Sequence, residues 1–309
     1  MKKVLVTGSN GLLGQKLTDL YLKTPEVQLI ATGRGPNRYP LKQGFIYVEM
    51  DIAKEEEVMK VIEYHTPDCI IHTAAMTNVD ACELDHEACV RYNIDSVKYV
   101  ALAAHKVNAH LIHLSTDFIF DGQAGPYNES GKPNPLSFYG QSKLKAEEIV
   151  IEISHNWSIA RTVLVYGLVA DMSRSNIVLW AKDSLEHKKP IKVVDDQFRT
   201  PTLAEDLAMG CRLIEKNEAK GIYNISGKDF LNIYELVNRV ALYFNLSMEH
   251  VEKVSSNTLN QPAKRPPVTG FDISKAIENL GYDPHSFEEG INIVQEQFNN
   301  FTKSSSTKL

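Results

Sequence analysis

The sequence predicts an α/β fold, a doubly wound parallel sheet with a smaller domain towards the C-terminus. Two observations predict it. Short, continuous apolar runs alternate with helical patterns through the first half of the chain, as in parallel sheets that helices cover on both faces. A turn with three glycines directly follows the first apolar run. The 309 residues are enough to bury a large core.

The predicted strands are short and apolar, and turn residues bound them. In chain order they are Lys2–Thr7, Val27–Thr32, Gly44–Val48, Asp68–Thr73, His110–Ser115, Trp157–Val163 and Gly221–Ile225. The predicted helices carry apolar residues at helical spacing. They are Leu12–Leu22, Lys54–Tyr64, His86–Val107, Ser137–Ser154, Asn176–Glu186, Leu203–Glu215, Leu231–Phe244, Ser274–Asn279 and Phe287–Phe301.

The alternating pattern loosens after Tyr166, which indicates a change of domain. We assign residues 1–165 to a dinucleotide-binding domain, to which segments near 203–225 and 273–301 return. Residues 166–202 and 226–272 form the predicted substrate-binding domain. The polar tail 302–309 is predicted to be disordered.

Composition and charge exclude several classes of protein. Hydrophobic residues make up 43% of the chain and charged residues 23%, which is typical of a globular protein. The net charge of −6 argues against nucleic-acid binding and against attraction to an anionic membrane. No apolar run approaches the roughly 18 residues of a membrane span. The first residues lack a signal peptide's apolar core, so we expect a cytoplasmic protein.

Cysteine and histidine patterns argue against metal and redox sites. The four cysteines form no CxxC pair, and we expect reduced, structural thiols. The ten histidines include no HExxH pattern, so we predict no catalytic metal. His72 and His113 fall in predicted strands and are interpreted as core residues with satisfied hydrogen bonds.

The glycine-rich turn predicts a phosphate-binding site of the Rossmann type. Its spacing is G-x-x-G-x-x-G, between the first strand and the first helix. Gly8 permits a tight turn, Gly11 lets the backbone approach a phosphate, and Gly14 lets the helix pack near the strand. The helix N-terminus offers free N–H groups to a pyrophosphate. The residues expected at the cofactor are Gly8, Asn10, Gly11, Leu12, Leu13 and Gly14. The alternative is a tight turn without a ligand.

The end of the second strand favours NADP(H) over NAD(H). No acidic residue, which could bind a ribose 2′-hydroxyl, occurs from Val27 to Phe45. Arg34 ends the strand, and Arg38 and Lys42 follow it. An arginine here could pair with a 2′-phosphate through its planar fork. The alternative is a solvated basic loop.

Two further strand ends are candidate cofactor contacts. Asp51 and Ile52 follow the third strand and could contact an adenine, or Asp51 could start the next helix. Ala74, Ala75 and Thr77 follow the fourth strand, where small residues would let the backbone run beside the cofactor. For these three residues, the alternative is ordinary tight packing.

A tyrosine and a lysine near the start of one helix suggest proton transfer. Tyr139 and Lys143 are separated by four positions and therefore share a helix face. A nearby ammonium group would lower the tyrosine pKa from about 10. Tyr139 could then protonate a carbonyl oxygen as a hydride arrives at its carbon, and Lys143 could also bind the nicotinamide ribose. A purely structural pair is the alternative.

A hydroxyl group at the end of the fifth strand completes the candidate catalytic set. Thr116 is the first choice and Ser115 the second for donation to the same carbonyl oxygen. Each could instead cap a loop. Asn93 lies inside a long predicted helix, where it could bend the helix, anchor a water or support catalysis.

These motifs together resemble a known family. The glycine turn with Tyr139-x-x-x-Lys143 resembles the extended short-chain dehydrogenase/reductase superfamily. The more specific segments resemble the dTDP-4-dehydrorhamnose reductase family over nearly the whole chain. They are STDFIFDG at 115–122, GPYNE at 125–129, NPLSFYGQSKLKAEE at 134–148, DDQFRTPT at 195–202 and KRPPVTGFDISK at 264–275.

The resemblance implies NADPH-dependent reduction of the 4-keto group of a nucleotide-activated deoxysugar. Thr116, Tyr139 and Lys143 take the catalytic positions. The candidate substrate-binding residues are Ser115, Asp117, Leu164, Arg199 and Arg265.

The chain departs from the family pattern where a substrate would bind. Leu164 replaces the family's tryptophan and Arg199 replaces a glycine. Thr269 and Phe271 replace a serine and a leucine. The redox machinery therefore matches the family better than the sugar site does. Arg199 and Arg265 could hold a diphosphate or lie on the surface.

Other functions stay open at this point. The chain could be an epimerase or a reductase of another sugar nucleotide. It could also be a non-catalytic NADP(H)-binding regulatory subunit, like that of methionine adenosyltransferase. The sequence leaves the sugar, the nucleotide and the oligomeric state open, although a homodimer is the commonest assembly of soluble enzymes.

Overall fold

A seven-stranded sheet forms the centre of the protein, in a computed structural model that describes residues 1–170 and 175–306, with side chains through Asn300. All neighbouring strands of this sheet are parallel. The predicted doubly wound α/β fold is therefore confirmed. In chain order its strands are β1 (Lys2–Thr7), β2 (Val27–Gly33), β3 (Ile46–Glu49), β4 (Cys69–His72), β5 (His110–Thr116), β6 (Trp157–Thr162) and β11 (Gly221–Asn224).

Helices cover both faces of the sheet. Apolar residues on one face pack against α1, α8 and α10, and those on the other face pack against α2, α5 and α6. The helices are α1 (Leu12–Leu22), α2 (Glu55–His65), α3 (Val79–Leu84), α4 (His86–Val90), α5 (Ser96–Lys106), α6 (Phe138–Ile153), α7 (Ile177–Glu186), α8 (Ala204–Lys216), α9 (Ile233–Phe244), α10 (Ser274–Leu280) and α11 (Phe287–Ser306).

The order of the strands positions the site. It is β11-β6-β5-β4-β1-β2-β3, so the chain moves outwards from β1 in one direction and from β4 in the other. The connections after β1 and β4 therefore leave on opposite sides and open a crevice at the carboxyl ends of these strands.

A third apolar core lies in the second half of the chain. It is built around α7, α9 and α11 and includes Tyr166 and Phe287. Three two-stranded sheets accompany it: β7 (Val165–Tyr166) with β10 (Thr202–Leu203), β8 (Ile191–Val194) with β13 (Val251–Val254), and β9 (Phe198–Arg199) with β12 (Leu231–Asn232). The division into a cofactor-binding and a substrate-binding domain stays a prediction.

The structure differs from the predicted elements in several places; for example, α3, β8 and β13 do not appear among the predicted elements. The predicted helix His86–Val107 is interrupted by a π-helical turn, Arg91–Asp95, which contains Asn93. Helix α11 extends to Ser306. The disorder predicted for 302–309 stays a prediction, and residues 307–309 lie outside the described part of the chain. No helix among the described residues is long and apolar enough to span a membrane.

A buried ion pair joins the sheet to α6. Arg161 of β6 donates from Nε to Glu147 Oε1 at 3.0 Å and from Nη2 to Oε2 at 2.7 Å. Each side chain is only 3% exposed. Arg161 also donates to the Glu129 carbonyl, so the pair anchors the loop that precedes α6.

We expect Glu147→Ala to reduce the free energy of unfolding by about 3–5 kcal/mol, because it leaves a buried guanidinium unpaired. Urea denaturation followed by circular dichroism measures this loss. Glu148→Ala is the matched control, since Glu148 pairs with Lys145 on the exposed face of the same helix and should leave stability nearly unchanged. Equal losses in the two variants would contradict the assignment.

Candidate active site

A cleft of about 790 Å³ opens at the carboxyl ends of the central strands. Most of the site residues that the sequence predicts line this cleft. The fold brings them together from the ends of six strands and from α6. Those lining it are Gly8, Asn10, Gly11, Leu12, Leu13, Gly14, Arg34, Asp51, Ile52, Ala74, Ala75, Thr77, Ser115, Thr116, Asp117, Tyr139, Lys143, Leu164 and Arg199. Arg265 is not among the lining residues.

The glycine turn forms one end of the cleft. Gly8 has φ +70°, and a Cβ there would lie 2.9 Å from the Ala74 backbone. A Cβ on Gly14 would overlap the Gly8 carbonyl oxygen, so only glycine allows α1 to approach the turn this closely. Gly11 is the N-cap of α1 and supplies no side-chain acceptor. The first N–H groups of the helix are therefore available to an anion at the cleft.

Two arginines line the cleft beyond the end of β2. Arg34 donates to the hydroxyl of Tyr92 at 2.9 Å and lies 5.7 Å from the centre of its ring. Arg38 lines the same end of the cleft, and its backbone N–H donates to Asn10 Oδ1. The Asn10 side chain thus holds the basic loop against the glycine turn. Tyr92 lies in the π-helical turn, and no sequence signal pointed to it.

Asp51 lies at the cleft without starting a helix. Helix α2 begins at Glu55, and Lys54 occupies its N-cap position. The alternative that Asp51 is a helix-start residue is therefore wrong. Its carboxylate accepts from the Ala53 N–H at 3.0 Å, which closes a local turn beside the cleft.

Asn93 anchors the loop that follows β4. Its Oδ1 accepts from the Met76 N–H at 2.8 Å, and its Nδ2 donates to the Met76 carbonyl at 3.0 Å and to Ser142 Oγ at 3.1 Å. This side chain is fully buried. It therefore connects the loop carrying Ala74–Thr77 with helix α6, and it lies in the π-helical turn that interrupts the predicted helix.

Tyr139 and Lys143 lie on the buried face of α6, with Ser137 as the N-cap. The Lys143 ammonium donates to the Leu114 carbonyl at 2.6 Å and lies 3.1 Å from His113 Nε2. Burial lowers the pKa of Lys143 to about 8, and the neighbouring Glu147 and Cys89 oppose that change.

Tyr139 is protonated in this environment. Burial raises its pKa well above the usual value, and a hydrogen bond with Thr116 partly offsets that effect. From the sequence we expected Lys143 to lower this pKa. The structure differs because the ammonium donates to the backbone of β5 and is not among the groups that shift the pKa of Tyr139.

Asp117 is the centre of a buried polar network beside Thr116. Thr116 Oγ1 donates to Asp117 Oδ1 at 3.1 Å, and Thr269 Oγ1 donates to Oδ2 at 2.5 Å. Arg199 Nε lies 3.4 Å from the same Oδ2. Burial raises the pKa of Asp117, while the charge of Arg199 and the two hydroxyl donors lower it.

The remaining contacts of Arg199 are to backbone carbonyls. Its guanidinium donates to Phe198, Pro266 and Pro267, and the residue is only 4% exposed. Arg199 therefore ties the 264–270 loop to the end of β5. Because these contacts occupy most of its N–H groups, Arg199 has few donors left for the diphosphate predicted from the sequence.

The other three predicted substrate-binding residues, Ser115, Leu164 and Arg265, lie in different surroundings. Ser115 is buried at the cleft, and its Oγ has no partner among the described residues. Leu164 adopts φ +41° at the cleft wall. Arg265 pairs with Asp80 at 2.7 Å and donates to the Ala263 carbonyl. This pair directs Arg265 to α3, and its place at the substrate site stays a prediction.

His72 and His113 are buried, as expected, but each has a ring nitrogen without a partner among the described residues. The prediction of fully satisfied histidines is therefore wrong. The four cysteines are buried free thiols. Within residues 1–170 and 175–306, no cluster of three or more metal-ligating side chains occurs.

The family model described as RmlD substrate binding domain matches residues 1–300 of this chain. The chain belongs to the RmlD substrate binding domain family. The resemblance inferred from the motifs is thus confirmed.

Its relatives in this family include both enzymes and a subunit of another enzyme. A dTDP-4-dehydrorhamnose reductase of Aggregatibacter actinomycetemcomitans is 28% identical, over 96% of this chain and 99% of its own length. The methionine adenosyltransferase 2 subunit beta of Bos taurus is 30% identical, over 91% of this chain and 83% of its own length. Among solved structures, the dTDP-4-dehydrorhamnose reductase of Bacillus anthracis in complex with NADP is 27% identical, with a TM-score of 0.82 over 96% of this chain and 100% of that chain.

We expect Arg199→Met to reduce the free energy of unfolding by about 3–5 kcal/mol near neutral pH, because the carboxylate of Asp117 stays buried without its cation. A carboxyl group whose folded-state pKa is raised stabilises the fold below its unfolded pKa and loses that contribution as pH rises through the folded pKa. Removing Arg199 raises this pKa further. The loss of unfolding free energy in Arg199→Met should therefore be larger at about pH 7.5 than at about pH 5.

Urea denaturation of the wild type and the variant at both pH values measures this difference. Arg265→Met is the matched control, because Arg265 and Asp80 are partly exposed and should show a smaller loss without the same pH trend. A loss for Arg199→Met that is independent of pH would contradict the account of Asp117.

Proposed function

We propose that this protein is an NADPH-dependent reductase of the 4-keto group of a nucleotide-activated deoxysugar. The observation that carries the proposal is the gathering of Thr116, Tyr139 and Lys143 at the cleft that the glycine turn also lines. The dTDP-4-dehydrorhamnose reductases among its relatives support the substrate class.

The cofactor proposal rests on the residues at the glycine end of the cleft. Gly8, Gly11 and the first turn of α1 form a tight turn that only glycines allow, and its free N–H groups fit a pyrophosphate. Arg34 and Arg38 offer two cations where a 2′-phosphate would lie. The NADP in the Bacillus anthracis relative supports the same choice.

Bound NADPH would supply a hydride to the carbonyl carbon. Tyr139, which burial keeps protonated, then donates its hydroxyl proton to the carbonyl oxygen. Lys143, one turn later on the same face of α6, would bind the nicotinamide ribose. Thr116 polarises the same carbonyl oxygen. In the structure its hydroxyl hydrogen is directed to Asp117, so donation to a substrate requires it to turn from that carboxylate.

The substrate region follows from the same placement. We propose that Ser115, Asp117, Leu164 and Arg199 face the sugar, with residues 166–202 and 226–272 forming the substrate-binding domain. Arg199 acts there as a buried support for Asp117 and the 264–270 loop. A homodimer stays a prediction.

A regulatory subunit is the second candidate function. The identity to methionine adenosyltransferase 2 subunit beta, 30% in Bos taurus, favours it. Such a protein would bind NADP(H) without turning over a substrate. The presence of all three catalytic candidates at one cleft favours the reductase.

We expect the protein to bind NADPH more tightly than NADH, because Arg34 can pair with the 2′-phosphate. Arg34→Met should weaken NADPH binding by about 10- to 100-fold, the range for hydrogen bonds to a charged group, and leave NADH binding nearly unchanged. Quenching of intrinsic fluorescence measures the dissociation constants. Lys42→Met is the control within the same loop, since Lys42 donates to the Asn37 and Tyr39 carbonyls. Equal affinity of the wild type for the two cofactors would rule out the 2′-phosphate assignment.

We expect Tyr139→Phe to lower turnover by at least about 100-fold while NADPH binding is retained, because the variant keeps the ring and loses only the proton donor. The assay follows NADPH oxidation with dTDP-4-dehydro-6-deoxy-L-mannose and a panel of other keto-sugar nucleotides. Tyr127→Phe, which removes a hydroxyl outside the cleft, is the control.

Oxidation with another member of the panel would keep the mechanism and change the substrate. Tight NADPH binding without oxidation of any panel member would favour the epimerase and the regulatory subunit. Near-native turnover by Tyr139→Phe would exclude Tyr139 as the proton donor.

A further inference from the structure

The ammonium group of Lys143 has three hydrogens, and the structure accounts for two of them. Its Nζ lies 2.6 Å from the Leu114 carbonyl oxygen and 3.1 Å from His113 Nε2. The residue is only 3% exposed but lines the cleft. Because the three N–H bonds are tetrahedral, two occupied directions determine the third.

The contact with Lys143 determines which nitrogen of His113 carries the hydrogen. An ammonium group donates and cannot accept, so Nε2 must present a lone pair and Nδ1 must carry the hydrogen. Nδ1 is buried, and no described residue accepts from it. A buried donor without an acceptor costs about 1–3 kcal/mol, so the fold tolerates an unfavourable tautomer in order to place Nε2 at Lys143.

The neighbouring strand keeps this imidazole neutral and in place. His113 pairs in register with His72 of β4, and the two rings stack with centroids 5.5 Å apart. Burial, with a further contribution from Lys143, lowers the pKa of His113 well below its usual value. The His113 ring therefore stays neutral across the pH range in which Lys143 titrates.

We propose that His113 is a positioning residue for Lys143: its Nε2 and the Leu114 carbonyl hold two ammonium hydrogens, so that the third is directed into the cleft. This inference rests on the proposed function, in which Lys143 contacts the cofactor ribose. His113 itself touches neither ligand and acts only through Lys143.

The charged and titratable groups around Lys143 come from several elements. Glu147 lies on its own helix α6, Cys89 on α4, and His113 and His72 on the two central strands. Tyr139 is one turn earlier on α6. Since an acceptor favours the charged form of a lysine, removing the lone pair of His113 lowers the pKa of Lys143 from about 8.

Four proteins test the proposal: the wild type, His113→Leu, His113→Gln and His110→Leu. Leucine removes the acceptor, whereas the side-chain oxygen of glutamine can replace Nε2. His110 is the matched control because it is a buried histidine of the same strand that contacts Ser158, away from the cleft. Two readouts are used: the Lys143 titration by NMR of isotope-labelled lysine, assigned with Lys143→Met, and the NADPH dissociation constant as a function of pH.

We expect His113→Leu to shift the Lys143 titration about one pH unit lower and to weaken NADPH binding about threefold near pH 7.5, because the charged fraction of Lys143 falls by about that factor there. His113→Gln should reverse most of the shift in the Lys143 titration and most of the loss of NADPH affinity. His110→Leu should match the wild type in both readouts. An unchanged Lys143 titration in His113→Leu would overturn the proposal. So would a loss of the same size in His110→Leu, which would show a structural effect only.

A measurement on the wild type keeps the proposal testable if His113→Leu does not fold. The imidazole nitrogen signals of His113 should show an unprotonated Nε2 and a protonated Nδ1 between about pH 6 and pH 7.5, where Lys143 is mostly charged. A protonated Nε2 would overturn the proposal. The lysine titration needs no cofactor, so a wild type that fails to bind NADPH would contradict the proposed function while the role of His113 is decided separately.

Discussion

The burial of the Lys143 ammonium is the constraint on which the rest of the site depends. A cation removed from water is tolerated only when fixed acceptors replace its hydration. Those acceptors are the Leu114 carbonyl and His113 Nε2, and both belong to β5. The requirement fixes α6 against the carboxyl end of β5, and with it the position of Tyr139 relative to Thr116. The bidentate pair between Arg161 and Glu147 holds the same helix to β6 one turn further on.

A second buried network connects this site with the later part of the chain. Asp117, next to Thr116, accepts from Thr269 and pairs with Arg199, whose guanidinium also binds the carbonyls of the 264–270 loop. Arg199 and Thr269 are two of the positions at which the chain departs from the reductase pattern. Arg199, which replaces a glycine of that pattern, therefore stabilises the wall of the cleft more than it contacts the open space. This arrangement makes the orientation of Thr116 depend on segments that lie far away in the sequence.

Local patterns identified most of the candidate site. The glycine turn, Tyr139 with Lys143, and the polar residues after β5 were found because spacing along one turn or one helix face is visible in a sequence. The ion pair between Arg265 and Asp80 is not visible in the sequence, since nothing near either residue shows that they are partners. Tyr92 was missed because it reaches Arg34 from a π-helical turn, and the sequence shows no periodicity for such a turn.

The sequence by itself determined the alternation of buried strands and helices, the glycine turn and the family. These features depend on residues that are close together in the sequence, within one turn, helix or strand. The residue types there and the spacing of the apolar residues are enough to predict them. The tertiary structure decided the protonation and orientation of the side chains. The hydrogen of His113 is on Nδ1, the Tyr139 hydroxyl is kept protonated by burial, and the Thr116 hydroxyl points to Asp117. Each of these depends on desolvation and on donors or acceptors from other elements, and these are set only when the strands and helices pack.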